Sequence, residues 1–146
     1  MEKIFNKYIF VAFLSLFMFG CEQKEKPIAE IDNPELVAVA FFDALYNEKN
    51  VAKAAAACTP QLKRIMLHYK SPNAVARHMF NMSFDSVEIT PDDSGVKVRE
   101  QFKEKATVTI YFDGVYNEEK FKDVKRLSLV QVDDKWLINK ILKDPF

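Results

Sequence analysis

The spacing of apolar residues changes once along this chain, and that change constrains the fold more than any other feature. Up to about residue 80 they recur at helical intervals, and from about residue 83 they alternate. The first regime opens at Asn33-Pro34-Glu35, which reads as an N-cap, a proline in the first turn and a carboxylate near the positive helix end. This first helix should run to about Asn47. Leu36, Val37, Ala40, Phe41, Ala44 and Leu45 form one face, and Val39, Phe42 and Tyr46 an adjoining one. Glu48-Lys49-Asn50 breaks it, and a short helix over about 51–57 follows. Thr59-Pro60 and Ser71-Pro72 repeat the cap-then-proline signal. They predict a third helix with Leu62, Ile65, Met66 and Tyr69 inward, and a fourth with Val75, Met79 and Phe80 inward.

The second regime predicts strands. Ser83 to Thr90 is one, Pro91 to Gly95 a turn, and Val96 to Phe102 a weaker strand. In Ala106 to Phe112, Val108, Ile110 and Phe112 share one face and Thr107, Thr109 and Tyr111 the other. Asp113-Gly114 reads as a turn or bulge, Phe121 to Val132 as a long strand, Asp133-Asp134 as a tight turn and Lys135 to Leu142 as the last strand. The charged start of the long strand, Lys120 to Arg126, reads as a solvated outer face or as an edge guarded by charge. Helices first and strands after predict an α+β fold with N-terminal helices packed in a curved antiparallel sheet.

Residues 1–33 belong to neither regime. Lys3 and Lys7 precede an uncharged apolar run of 12 residues, Tyr8 to Phe19. That run is short for a membrane span and the right length for the apolar region of a signal peptide. Met18-Phe19-Gly20-Cys21 follows and resembles the lipobox of bacterial lipoproteins, where a small residue precedes the cysteine that receives lipid. Met18 and Phe19 depart from the commoner residues of that motif. The resemblance implies a signal peptide over 1–20, lipid attachment at Cys21, a polar tether over 21–33 and a folded domain over 34–146. It places the chain in the bacterial cell envelope, a membrane lipoprotein held by its acylated cysteine. Glu22 is not the aspartate associated with inner-membrane retention, so the outer membrane, facing the periplasm, is the default. Cys58 would then have no partner in the chain, and it reads as a small buried hydrophobe.

Composition narrows the function. Basic and acidic residues number 21 each. No basic excess exists to displace counterions, so no nucleic-acid partner is expected. Three glycines leave no Gly-rich phosphate loop. His68 and His78 without a cysteine pair predict no metal site, and no cofactor motif is present.

Pro34-Glu35, Phe41 to Asn47, the alanine-rich segment before Cys58, Thr59 to Lys63, Ala106 to Ile110 and Asp133 to Ile138 together resemble the nuclear-transport-factor-2-like superfamily. They cover about residues 34–142. The resemblance implies a cone-shaped, cystatin-like α+β domain whose open end can hold an apolar pocket, with Phe41, Phe42, Tyr46, Met66, Tyr69, Met79, Phe80, Tyr111 and Trp136 as candidate lining. The competing reading is that these side chains fill the cone. It also implies two function classes. One is a non-enzymatic binding or accessory role toward a small apolar ligand or an envelope protein, with a homodimer through the exposed sheet as in other members. The other is an enzyme of the ketosteroid-isomerase or dehydratase type, which needs a carboxylate base in an apolar pocket beside a tyrosine donor. Asp43, Asp85 and Asp113, with His68 and His78 and with Tyr46, Tyr69 and Tyr111 as donors, are available, yet none stands in a motif of the family.

Overall fold

A computed structural model describes residues 26–92 and 104–143. Cys21, the leader and the strand expected over Val96 to Phe102 lie outside the described residues. Among the described residues the architecture is α+β, with helices preceding a curved four-stranded antiparallel sheet.

A 3-10 turn, Ile28–Glu30, leads into α1, Pro34–Tyr46. Asn33 caps α1 through its side-chain oxygen, which accepts from the backbone N–H of Glu35 at 2.8 Å and of Leu36 at 3.2 Å. Asn50 caps α2, Val51–Ala56, in the same way through Lys53 N–H at 2.9 Å. Then come α3, Pro60–Tyr69, and α4, Pro72–Val75, which Ser71 Oγ caps through Ala74 N–H.

Thr59 departs from the expected cap. Its hydroxyl makes no capping bond and is buried without a partner among the described residues. The backbone here has another task. Thr59 N–H donates to Ile138 O at 2.9 Å, and Ile138 N–H donates to Ala57 O at 2.8 Å. These bonds tie the α2–α3 junction to the sheet.

The fourth helix also differs. After Val75 the chain widens into a π-helical turn, Ala76–Phe80, closed by Asn81 in the left-handed region. Such turns interrupt helices frequently at functional sites. Here the turn buries Ala76 and Phe80 and leaves Arg77 and His78 exposed.

The strands are β1, Ser86–Pro91; β2, Lys105–Tyr116; β3, Glu119–Val132; and β4, Lys135–Ile141, in the order β1-β2-β3-β4. Asp113-Gly114 is no turn. It continues β2 in regular register, Asp113 opposite Lys122 and Gly114 opposite Phe121. The glycine answers a close approach: a Cβ there would meet Ser86 O at 2.5 Å and Phe84 Cδ1 at 2.7 Å. The β2–β3 turn is instead Asn117-Glu118, and the β3–β4 turn is Asp133-Asp134 as expected. All four of these residues have positive φ, the backbone of two-residue hairpins. The irregularity between β3 and β4 falls at Ser128/Leu129, paired with Lys140 and Ile138, so Asn139 is the extra residue.

The inner face of β2 presents Ala106, Val108, Ile110 and Phe112, all buried. That of β3 presents Leu127 and Leu129 and, before them, Lys125 and Asp123. The charged start of β3 is therefore not wholly a solvated outer face. Lys125 stands opposite Ile110, is 5% exposed, and meets Asp123 Oδ1 at 3.4 Å. β4 pairs with β3 from Leu127 onward, so among the described residues the charged part of β3 also forms an edge.

Candidate functional site

Most of the concave face is closed by rings. Phe42 is 0% exposed and contacts Phe41, Phe80 and Phe112 edge-on, with centroids 5.0, 5.2 and 4.8 Å away. Tyr46 stands edge-on to Phe84 at 5.5 Å and to Phe112 at 6.0 Å. Edge-to-face pairs at these separations are favourable beyond the area they bury. The Tyr46 hydroxyl donates to Met82 O at 3.2 Å. Burial, and secondarily the negative charge of Asp123, pushes its pKa far above the ordinary tyrosine value.

The nine candidate lining residues thus divide. Phe41, Phe42, Met66, Phe80 and Trp136 are core side chains, and Tyr69 and Met79 pack against the core half-buried. Tyr111 lies on the outer sheet face, 47% exposed. Tyr46 reaches a cavity.

That cavity, about 320 Å³, opens at the rim, where the end of α1 meets α4, the segment 83–85 and the end of β2. Tyr46, Lys49, Arg77, Phe84, Asp85 and Tyr116 are among its walls. A second cavity of about 280 Å³ adjoins it, bordered by Asn81, Glu119, Lys120 and Phe121. The two share Arg77, Ser83 and Tyr116 as a common wall. Their sizes are at or just below the range of small-molecule sites. Two aromatic side chains stand open beside them, Tyr116 at 42% and Phe121 at 41% exposure. Phe121 is braced by Phe84, ring centroids 5.6 Å apart.

The polar groups here differ in how far they are committed. The Lys49 ammonium donates to Phe84 O at 3.1 Å. Asp85 Oδ2 accepts from Asn117 N–H at 2.8 Å, which fixes the β2–β3 hairpin against the rim. Arg77 makes no hydrogen bond or ion pair among the described residues. A broader depression of about 590 Å³ runs along β1 and β2 past Glu88 and Asp113, and there Asp113 is already held by Lys122 at 2.6 Å.

The other titratable candidates are dispersed. Asp43 accepts from Asn47 Nδ2 at 2.7 Å as part of the end of α1. His78 stacks on Tyr69 at 5.3 Å, and His68 meets the same ring at 5.9 Å on the exposed side. Among the described residues no group of three or more His, Cys, Asp or Glu could hold a metal ion. Cys58 is buried, with Sγ 3.5 Å from Met66 Sδ; burial pushes its thiol up to about 12, against a smaller lowering by Lys63. No helix among the described residues is long and apolar enough to cross a membrane.

Sequence reading did not find Arg77, Ser83 or Tyr116. Arg77 owes its position to the π turn, which has no simple local signature. Tyr116 owes its own to a glycine-free hairpin, Asn117-Glu118, that lies past the stronger turn signal at Asp113-Gly114. Comparison with protein-family models, with curated protein sequences and with solved structures gives no match.

Proposed function

We propose that this chain is a lipid-anchored binding domain of the nuclear-transport-factor-2-like type. It would be held at a bacterial envelope membrane through Cys21 and engage its ligand or partner at the rim of the cone. The observation that carries the binding reading is the contrast between a concave face packed with rings and a rim with a cavity, open aromatic side chains and a guanidinium uncommitted among the described residues. Helices preceding a curved antiparallel sheet support the superfamily assignment, and the sequence at Gly20-Cys21 supports the anchor. An isomerase-type site would need a carboxylate and a tyrosine hydroxyl facing a closed apolar cavity. The Tyr46 hydroxyl is instead engaged by Met82 O.

Two measurements on the full-length chain expressed in a bacterial envelope test the two halves of the proposal. Metabolic labelling with an alkyne fatty acid should mark the wild type and leave Cys21→Ser unlabelled; equal labelling would remove the anchor. Native mass spectrometry from detergent should show a co-purified ligand or partner lost in Ser83→Trp, which fills the shared wall of the cavities. Retention of that species by the filled variant would move binding away from the rim.

A further inference from the structure

We infer that the rim takes a small organic anion, a monocarboxylate whose head is held by Arg77 and whose apolar body lies against Tyr116 and Phe121. The inference rests on the rim-binding reading and gives that site a ligand chemistry.

Three observations carry it. The first is charge. Lys49, Arg77 and Lys120 border the two cavities against Asp85 and Glu119, an excess of one positive charge in a chain that is neutral overall. The second is commitment. Asp85 is engaged by Asn117 N–H and Lys49 by Phe84 O, whereas Arg77, in the wall common to both cavities, has no partner among the described residues. A guanidinium offers a planar fork of donors that matches a carboxylate with two parallel bonds, which a point-charge ammonium does not. The third is the apolar surface beside it. Tyr116 borders both cavities and Phe121 the second, and each leaves about two-fifths of its surface open. Phe84 stacks on core Phe112 at 6.0 Å and also meets Phe121, so the open ring has a fixed backing. A bare inorganic anion would use the guanidinium and leave these rings wet; a neutral apolar molecule would leave the guanidinium unmatched. A carboxylate on a ring-sized apolar body uses both.

The test uses the full-length chain in detergent micelles and two probes of nearly equal shape, 3-phenylpropionate and its neutral amide, 3-phenylpropanamide. Calorimetric or ligand-detected NMR titration near neutral pH should show the acid binding wild type about tenfold or more tighter than the amide. Arg77→Gln should lose that preference, weakening the acid while leaving the amide nearly unchanged. Tyr116→Ala should weaken both probes together. Circular dichroism of each variant should match the wild type, since both side chains are exposed. Equal binding of acid and amide to the wild type, displaced in Ser83→Trp, would overturn the anion inference and leave rim binding standing. Binding of neither probe, with a co-purified species still lost in Ser83→Trp, would overturn it in the same way. Acid binding undiminished in both Arg77→Gln and Ser83→Trp would overturn the inference and the rim-binding reading together.

Discussion

Two sets of aromatic side chains lie within a few ångströms of each other in this molecule and have opposite fates. Phe42, Phe80, Phe112 and Tyr46 close on one another, with centroids 4.8 to 6.2 Å apart, and leave almost no surface to water. Tyr116 and Phe121 have a ring or a wall on one side and open space on the other. Phe84 belongs to both sets, stacked on Phe112 inward and tilted against Phe121 outward. The difference teaches that aromatic content does not mark a pocket. Rings that find ring partners become core. Rings at a hairpin end, beside a cation with no partner among the described residues, remain available.

The largest effect should come from opening the closed set. Phe42→Ala removes a ring packed on four others, and losses of about 3–5 kcal/mol are typical for such truncations. Urea unfolding followed by circular dichroism measures this. A loss below about 1 kcal/mol would mean that the inner set is loosely packed, and the contrast with the rim would collapse.

Gly114→Ala probes the seam between the sets. The added methyl would press on the Ser86 carbonyl and on Phe84, the ring that links core and rim. Overpacking of this kind costs about 1–3 kcal/mol. Because Phe84 must shift, binding at the rim should weaken as well, and titration of the same variant measures that coupling. A stable variant with unaltered binding would show that the two sets are independent.

The inner region should also respond to alkali. The Cys58 thiol is raised from its ordinary 9.0 to about 12 by burial. Below pH 9 folded and unfolded chains both hold the proton, and the contribution to stability is complete. As pH climbs from about 9 toward 12 the unfolded thiol ionises first, so stability falls, by up to about 1.4 kcal/mol per pH unit. Tyr46, raised further for the same reason, adds a loss that begins higher. Denaturant midpoints across this range should decline steeply in wild type and less steeply in Cys58→Ala.

What the sequence disclosed follows the same division. The helix starts at Asn33, Ser71 and Pro60, the alternation in β2 and the Asp133-Asp134 turn were legible because each is decided by a few adjacent residues. Phe41 and Phe42 were legible as apolar, yet their spacing could not say whether rings from Phe80 and Phe112 would cover them. The burial of Lys125 was not legible, because strand alternation assigns a face only once the register with Ile110 is known. Gly114 was misread because a close interstrand approach and a turn ask for the same residue. The rim was the least legible part. It is assembled from a π turn, the neighbouring 83–85 segment and a hairpin tip distant along the chain, three irregular pieces whose meeting no local pattern encodes.

The smallest expected effect bears hardest on the comparison. Arg77 sits on the surface of the π turn without a hydrogen bond or ion pair among the described residues, so Arg77→Gln should change stability by less than about 0.5 kcal/mol. Phe42→Ala and Arg77→Gln then form a pair of opposites, one felt in folding and the other in binding. A charged side chain that contributes nothing to the fold, beside rings that are not fully buried, is a group still available to a ligand. Should Arg77→Gln instead lower the urea midpoint as much as a core truncation does, Arg77 would be a structural residue. The rim would then be a second packed region, and its preference for an anion would have no donor behind it.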